Sequence, residues 1–167
     1  EWHRPGDEVE LINVAGMVWF IDNSGPAGNG TLGSPFNSLG QHTTNSGDAN
    51  GDCVFIYSGS GSYGGGIVLQ NSQRLLGQGS TQDIATFCGF AVPAHSLALP
   101  ATGAARPVLV NTGGNAISLG SGNTLRGFNI GNTAAASDGI AGTGVGSLSV
   151  SEVSIAGTGG GVNLANG

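Results

Sequence analysis

Three oxygen-bearing side chains, Asp48, Asn50 and Asp52, alternate along one short stretch of this sequence. Such alternation is typical of loops that bind calcium through carboxylate and amide oxygens. The twelfth position of such a loop carries a bidentate glutamate, and Gly59 stands there instead. We therefore favour a polar turn in which an aspartate caps the next strand. Calcium held by Asp48, Asn50 and Asp52 is the alternative.

The histidines and the remaining acids offer no converging set for catalysis. His3, His42 and His95 are far apart in sequence, so we expect solvent-facing or turn positions rather than a zinc site. Hydrolysis of a glycosidic bond needs two carboxylates that face one substrate. Within the repeats only Asp138 and Glu152 could supply them, and they fall on different turns. We predict no catalytic residue, no cofactor and no enzymatic activity.

The two cysteines, Cys53 and Cys88, leave two interpretations open. A disulfide between them would place the chain in an oxidising compartment. Two reduced thiols would instead act as small buried apolar side chains. The sequence does not give the distance between the two residues, so both interpretations stand.

The composition favours short strands and tight turns over helices. Glycine accounts for 33 of the 167 residues, and a glycine costs roughly 1 kcal/mol relative to alanine inside a helix. A net charge of −6 disfavours nucleic acid and anionic membrane surfaces as partners. The longest apolar run, residues 14–21, is too short to span a bilayer, so we expect no membrane insertion.

One sequence motif occurs twice, at residues 66–77 and again at residues 116–127. Both copies read Ile-x-Leu, a polar turn, then Leu-x-Gly. Weaker copies begin at Ile140 and Val162, and these later copies lie 22–23 residues apart. We therefore predict coils of that size, with residues 80–106 inserted into the first interval. Stacked coils of short alternating strands predict a solenoid.

We divide the chain into an N-terminal arm or linker remnant, residues 1–16, and a coil stack, residues 17–167. Residues 80–106 break the alternation and predict a long protruding loop, the kind of segment that carries function more often than the scaffold does. The last coil has no cap in the sequence. We expect the natural chain to continue or another surface to cover that end.

Two early stretches, VWFIDN at 18–23 and SPFNSL at 34–39, resemble the opening coil of right-handed parallel β-helix proteins of the pectin-lyase-like kind. Residues 73–79 and 122–130 extend the resemblance to β-helix segments of large bacterial surface proteins, which are adhesin-like or autotransporter-passenger-like. The resemblance implies an all-β right-handed parallel β-helix. It also implies a short capping helix near residues 37–44, although Gly40 disfavours one.

For function, the resemblance implies a structural or adhesive segment of a secreted protein at the bacterial outer surface, with a surface glycan or protein as its ligand. The alternative is an extracellular filament subunit whose open coil end is covered by a neighbouring copy. A second alternative is a fragment of a polysaccharide lyase or glycosidase. Enzymes that resemble pectate lyase or polygalacturonase carry clustered Asp, Asn-Thr-Asp or Gly-His-Gly motifs, and this sequence has none of them.

Overall fold

The computed structural model describes residues 16–165, so the arm predicted over residues 1–16 lies outside the described residues except for Gly16. The described chain forms thirteen short strands and two helices. In chain order their bounds are β1 Val18–Ile21, α1 Leu39–Thr43, β2 Cys53–Ile56, β3 Ser62–Gly64, β4 Ile67–Val68, β5 Arg74–Gly77, α2 Ile84–Cys88, β6 Val108–Asn111, β7 Ile117–Leu119, β8 Thr124–Arg126, β9 Asn129–Thr133, β10 Asp138–Thr143, β11 Ser149–Ser151, β12 Ser154–Ile155 and β13 Gly160–Ala165.

The strands lie in three sheets, and neighbouring strands in each sheet run parallel. Sheet I has the order β1-β2-β5-β8-β11, sheet II the order β3-β6-β9-β12, and sheet III the order β4-β7-β10-β13. From β2 onward the chain visits sheets I, II and III in an unchanging cycle. The described chain is therefore mostly strand, arranged in parallel sheets with little helix.

The register of the sheets pairs equivalent positions of the repeated motif. In sheet III, Ile67 lies opposite Ile117, and Ile117 lies opposite Ile140. In sheet I, Leu75 lies opposite Leu125. The long first interval therefore corresponds to one step between neighbouring strands, as expected if residues 80–106 are an insertion.

Inward side chains of the three sheets form one apolar core. Alternate residues of each strand point to the same face, which explains the period of two in the sequence. Burial of one such aliphatic side chain contributes roughly 1.5–3 kcal/mol. The core residues on the strands include Trp19, Ile21, Val54, Ile56, Tyr63, Ile67, Leu75, Leu109, Ile117, Leu125, Ile130 and Ile140.

The last residue of each copy of the motif is a glycine because neighbouring backbone lies too close for a side chain. Gly127 has a φ of 81°, in the left-handed region that favours glycine. A Cβ atom on Gly77 would collide with the carbonyl oxygen of Gly127 and lie 2.9 Å from the Cβ of Phe128. A side chain at residue 77 would therefore push the ends of the neighbouring strands β5 and β8 apart.

Helix α1 covers the first layer of the core, so the capping helix predicted near residues 37–44 is present. Ser38 is its N-cap and accepts a hydrogen bond from the backbone N–H of Gln41 at 3.3 Å. Leu39 and His42, one turn apart, are both fully buried. The expectation of a solvent-facing His42 is therefore wrong, because the three-residue spacing places it beside Leu39 on the covered face.

Exposure rises at the last strand of each sheet. Val162 is 54% exposed, although its neighbour Ile140 in sheet III is fully buried. Val150 is 45% exposed and lies opposite the fully buried Leu125 in sheet I. These valines occupy core positions in the register, but within residues 16–165 no further layer covers them.

Candidate functional site

Residues 78–107, called the excursion below, connect β5 to β6 and contain helix α2. Asp83 is the N-cap of α2, and its carboxylate accepts hydrogen bonds from the backbone N–H of Thr86 at 2.9 Å and its hydroxyl at 2.7 Å. These bonds hold the pKa of Asp83 below its ordinary value. Gly89 ends the helix with a φ of 81°, a conformation that glycine adopts without strain.

Helix α2 packs on the outer face of sheet I, so the predicted loop over residues 80–106 is not a simple protrusion. The apolar side chains between helix and sheet form an outer-face cluster: Phe20, Cys53, Phe55, Leu76, Ile84 and Phe87. Every residue of β2 is buried as a result, because the core covers one face and α2 the other. A strand covered on both faces loses its polar-apolar alternation, which is why CVFI is apolar throughout.

A disulfide ties the excursion to sheet I. Cys53 on β2 and Cys88 at the end of α2 are bonded, with their Cα atoms 5.7 Å apart. Of the two interpretations that the sequence left open, the structure therefore has the disulfide. The bond fixes the C-terminal end of α2 against the outer-face cluster.

The first leg of the excursion, residues 78–90, is held by the ion pair between Arg126 and Glu152. The guanidinium of Arg126 donates to both carboxylate oxygens of Glu152, from Nε at 3.0 Å and from Nη2 at 3.1 Å. The same carboxylate accepts hydrogen bonds from the hydroxyl and the backbone N–H of Thr81. Chiefly through the two Thr81 bonds, and further through Arg126, the pKa of Glu152 falls to about 2. The sequence gives no signal for this pairing, because Arg126 and Glu152 are 26 residues apart.

The return leg of the excursion, residues 99–107, is held by hydrogen bonds to Gln78, the first residue of the excursion, and to Ser58, which follows β2. The side chain of Gln78 donates to the carbonyl of Ala101 at 3.1 Å, and its backbone carbonyl accepts from the N–H of Ala104 at 3.2 Å. The hydroxyl of Ser58 donates to the carbonyl of Ala105. Both legs are therefore fixed to the scaffold.

Between the two legs lies an exposed tip, defined as residues 91–98, in which every residue is exposed. Phe90 and Leu99 flank the tip and pack partly buried against the outer-face cluster. Two apolar side chains of the tip face solvent, Val92 at 47% and Leu97 at 74% exposure. The tip therefore presents two exposed apolar side chains on a segment whose base is packed, bonded and anchored.

The turn with the alternating oxygens has its polar atoms committed to the protein. The carboxylate of Asp52 is buried and accepts hydrogen bonds from the indole N–H of Trp19 at 2.7 Å and from the backbone N–H groups of Met17 and Ala49 at 2.7 Å and 3.0 Å. The favoured interpretation at Asp52, a capping aspartate, fits these contacts.

The other two candidates for calcium, Asp48 and Asn50, lie in the same turn. Asp48 accepts from the side-chain amides of Gln70 and Gln73, and Asn50 accepts from a backbone N–H at 3.2 Å. Within residues 16–165, no group of three or more His, Cys, Asp or Glu side chains is placed to hold a metal ion. Their contacts fit a structural role in holding the turn.

The remaining candidate groups are not brought together. Asp138 begins β10 in sheet III, whereas Glu152 follows β11 in sheet I, so the two carboxylates do not face one substrate. His95 is exposed in the tip, and His3 lies outside the described residues. His42 lies in the cap, where its Nε2 is 3.2 Å from an oxygen of Asp48.

Comparison of the chain with known protein families, with curated proteins and with solved structures finds no significant match. Neither of the helices found in residues 16–165 has the length and apolar character needed to cross a bilayer.

Proposed function

We propose that the chain is a right-handed parallel β-helix segment of a secreted bacterial cell-surface protein, with a structural or adhesive role and no enzymatic activity. The fixed cycle of strands through sheets I, II and III supports the fold, because a chain that returns to the next position after each cycle winds as stacked coils. Crossovers between parallel strands are right-handed in nearly all known cases, which supports the handedness.

The observation that carries the adhesive role is the exposed tip. Its apolar side chains, Val92 and Leu97, face solvent, while the disulfide and the outer-face cluster hold its base. A contact surface on a fixed base loses less conformational entropy on binding than one on a loose loop. The tip therefore binds its ligand, a surface glycan or protein, through apolar contacts.

The disulfide supports the proposed location. Disulfides form and persist in oxidising environments such as the bacterial periplasm and the cell surface. The bond between Cys53 and Cys88 joins the functional segment to the scaffold, so its loss would disturb the proposed binding surface.

Binding of the fluorescently labelled full chain to glycan arrays and to surfaces coated with extracellular-matrix proteins tests the adhesive role. The double variant Val92→Ser with Leu97→Ser should weaken binding by about tenfold or more, since apolar anchors dominate such contacts. Val68→Ser is the matched control, because Val68 is 49% exposed on sheet III, away from the tip.

Failure of the wild-type chain to bind any surface would contradict adhesion through the tip. Equal loss of binding in Val68→Ser and in the tip variant would also contradict it. Release of reducing ends or unsaturated products from acidic polysaccharides would instead support the enzymatic alternative.

Self-association is a second candidate, and the exposed last strand favours it. All residues of β13 are exposed, and Val162 and Leu164 place apolar side chains there at 54% and 44% exposure. A strand edge with apolar side chains is a template for pairing with another chain. Sedimentation and electron microscopy should then show end-to-end oligomers that Val162→Asp with Leu164→Asp disperses, and a monomer at all concentrations would exclude this candidate.

A further inference from the structure

A cavity of about 330 Å³ lies where three strands of sheet I begin, beneath the C-terminal end of α2. Gly16, Gly51 and Ser72 line it from the turns before β1, β2 and β5, and Gly89 lines it from the end of α2. This volume is at the lower end of the range of small-molecule sites. The cavity does not overlap the exposed tip, so a ligand bound in it would be independent of the adhesive role.

The charged group in this cavity is Arg74. Within residues 16–165 its guanidinium donates one hydrogen bond, from Nη1 to the carbonyl of Phe87 at 2.7 Å, and forms no ion pair. The Nε and Nη2 edge therefore keeps the two parallel N–H donors that match a carboxylate. By contrast, the guanidinium of Arg126 is committed to Glu152.

The neutral side chains of the cavity are also donors. Asn50 accepts one hydrogen bond through its Oδ1, whereas its amide nitrogen forms none with the described residues. The hydroxyl of Ser72 likewise has no partner among them. Among residues 16–165, no acidic side chain lines the cavity. One cation and two exposed donors, with no acid among the described lining residues, favour an anion over a cation as ligand.

The backbone at Ser72 gives a second, independent indication. Ser72 has a φ of 61°, in the left-handed region that serine adopts only with strain. One layer further along, the register places Gly122 at the equivalent position, with a φ of 74°. Glycine adopts this backbone conformation without strain. Serine adopts it at an energetic cost, and Ser72 lines the cavity.

We propose that this cavity is a carboxylate-binding site, in which Arg74 binds the carboxylate through Nε and Nη2 and Ser72 and Asn50 donate to it. A carboxylate is favoured over phosphate because the net charge of −6 repels a dianion more strongly than a monoanion. Two sources of this group fit: a free small carboxylate, or the chain's own Asp7, Glu8 or Glu10, which shortly precede Gly16 in sequence.

The test is an NMR titration of the full-length chain with N-acetylglutamate α-amide, with N-acetylglutamine α-amide as the neutral isostere. The side-chain Nε–H of Arg74 and the backbone amides of Gly51 and Gly89 should shift and saturate with the first compound only. Arg74→Gln should abolish the response at the two glycines. Arg106→Gln, which removes the same charge from outside the cavity, should keep it.

Ser72→Gly tests the site with a variant that should stay folded, because glycine is the residue at the equivalent position, Gly122. It should weaken binding by about tenfold or more, the scale for one hydrogen bond to a charged group, without lowering the melting temperature.

The variant Asp7→Asn with Glu8→Gln and Glu10→Gln separates the two sources. If the chain's own carboxylates occupy the cavity, this variant shifts the Arg74 signal without any probe and binds the probe more tightly than wild type does. If the source is external, it behaves as wild type. The proposal is overturned if neither protein gives a saturable shift, if Arg74→Gln and Arg106→Gln respond alike, or if inorganic phosphate binds more tightly than the carboxylate.

Discussion

The carboxylate of Glu152 accepts hydrogen bonds from both the backbone N–H and the hydroxyl of Thr81, 71 residues earlier in the chain. The same carboxylate is paired with Arg126 on β8. One acidic side chain therefore joins the turn after β11, the neighbouring strand β8 and the first leg of the excursion.

Glu152→Gln is expected to lower the free energy of unfolding by about 1 kcal/mol at neutral pH, which is the upper end of the range for a largely solvated ion pair. The folded-state pKa of Glu152 is about 2, below its ordinary 4.5. Its contribution is therefore present above pH 4.5 and is lost as the pH falls toward 2. Urea unfolding across this window measures the effect.

The matched control for this change is Asp138→Asn, which also removes one negative charge but loses only an exposed hydrogen bond from Asn163. It should change stability by less than the Glu152 variant does. An equal effect of the two substitutions would show that net charge, rather than the bonds to Thr81 and Arg126, accounts for the loss.

The last layer of sheet I should tolerate truncation better than the layer before it. Leu125→Ala removes a fully buried side chain and should cost about 2–5 kcal/mol. Val150→Ala, its neighbour in register, removes a side chain that is 45% exposed and should cost less than about 1 kcal/mol. Thermal melts compare the two, and a large cost at Val150 would mean that this layer is covered in solution.

Loss of the disulfide should destabilise the excursion and the chain. The bond closes a loop with a sequence separation of 35, for which chain entropy predicts a loss of about 3–4 kcal/mol in the double variant Cys53→Ser with Cys88→Ser. Hydrogen exchange should then quicken first in α2. Thiol titration in denaturant without reductant should find no free thiol in the wild type, and two free thiols would contradict the bond.

Mild acid should weaken the cap through His42. Burial lowers its pKa from 6.5, and this effect outweighs the opposing influence of Asp48 and Asp52, the acids that face it. The unfolded chain therefore binds the proton more readily, so stability is complete above pH 6.5 and falls as the pH drops through this value toward the folded-state pKa. Denaturant midpoints between pH 7.5 and pH 5 measure the loss.

His42→Phe removes the titrating group while keeping an aromatic ring beside Phe36, against which the imidazole packs edge-on. It should flatten the pH dependence in this window. His95→Phe, in the exposed tip, should leave it unchanged. A decline that persists in His42→Phe would assign the acid sensitivity to another group.

The repeat was sufficient to predict the register of the stack from sequence. Ile67, Ile117 and Ile140 lie opposite one another in sheet III, as the spacing indicated, since inward residues recur once for each layer. The helix over residues 39–43 was also indicated, by the resemblance of the Ser-Pro-Phe stretch to the opening coil of β-helix proteins. The register could be predicted because the motif recurs once for each strand of the sheet, and the helix because its signal is local in sequence.

The contacts of the excursion could not be predicted in the same way. Helix α2 has a cap signal in Asp83 and Gly89, but at five residues it is too short to leave a periodic pattern. The continuous apolar run of β2 was a signal that something covers its outer face. Which segment does so depends on long-range packing, and so does the pairing of Arg126 with Glu152 and Thr81.

The cap and the disulfide lie toward the first layers, whereas exposure is greatest in the last. In the proposed parallel β-helix each layer packs mainly on its immediate neighbours, so resistance to mechanical extension should be graded along the chain. A pull on the C-terminal side should peel β13, β12 and β11 before the capped layers, and each layer of 22–25 residues should release roughly 80 Å of chain. The fold would then yield in steps under load and keep its disulfide-bonded first layers to the last.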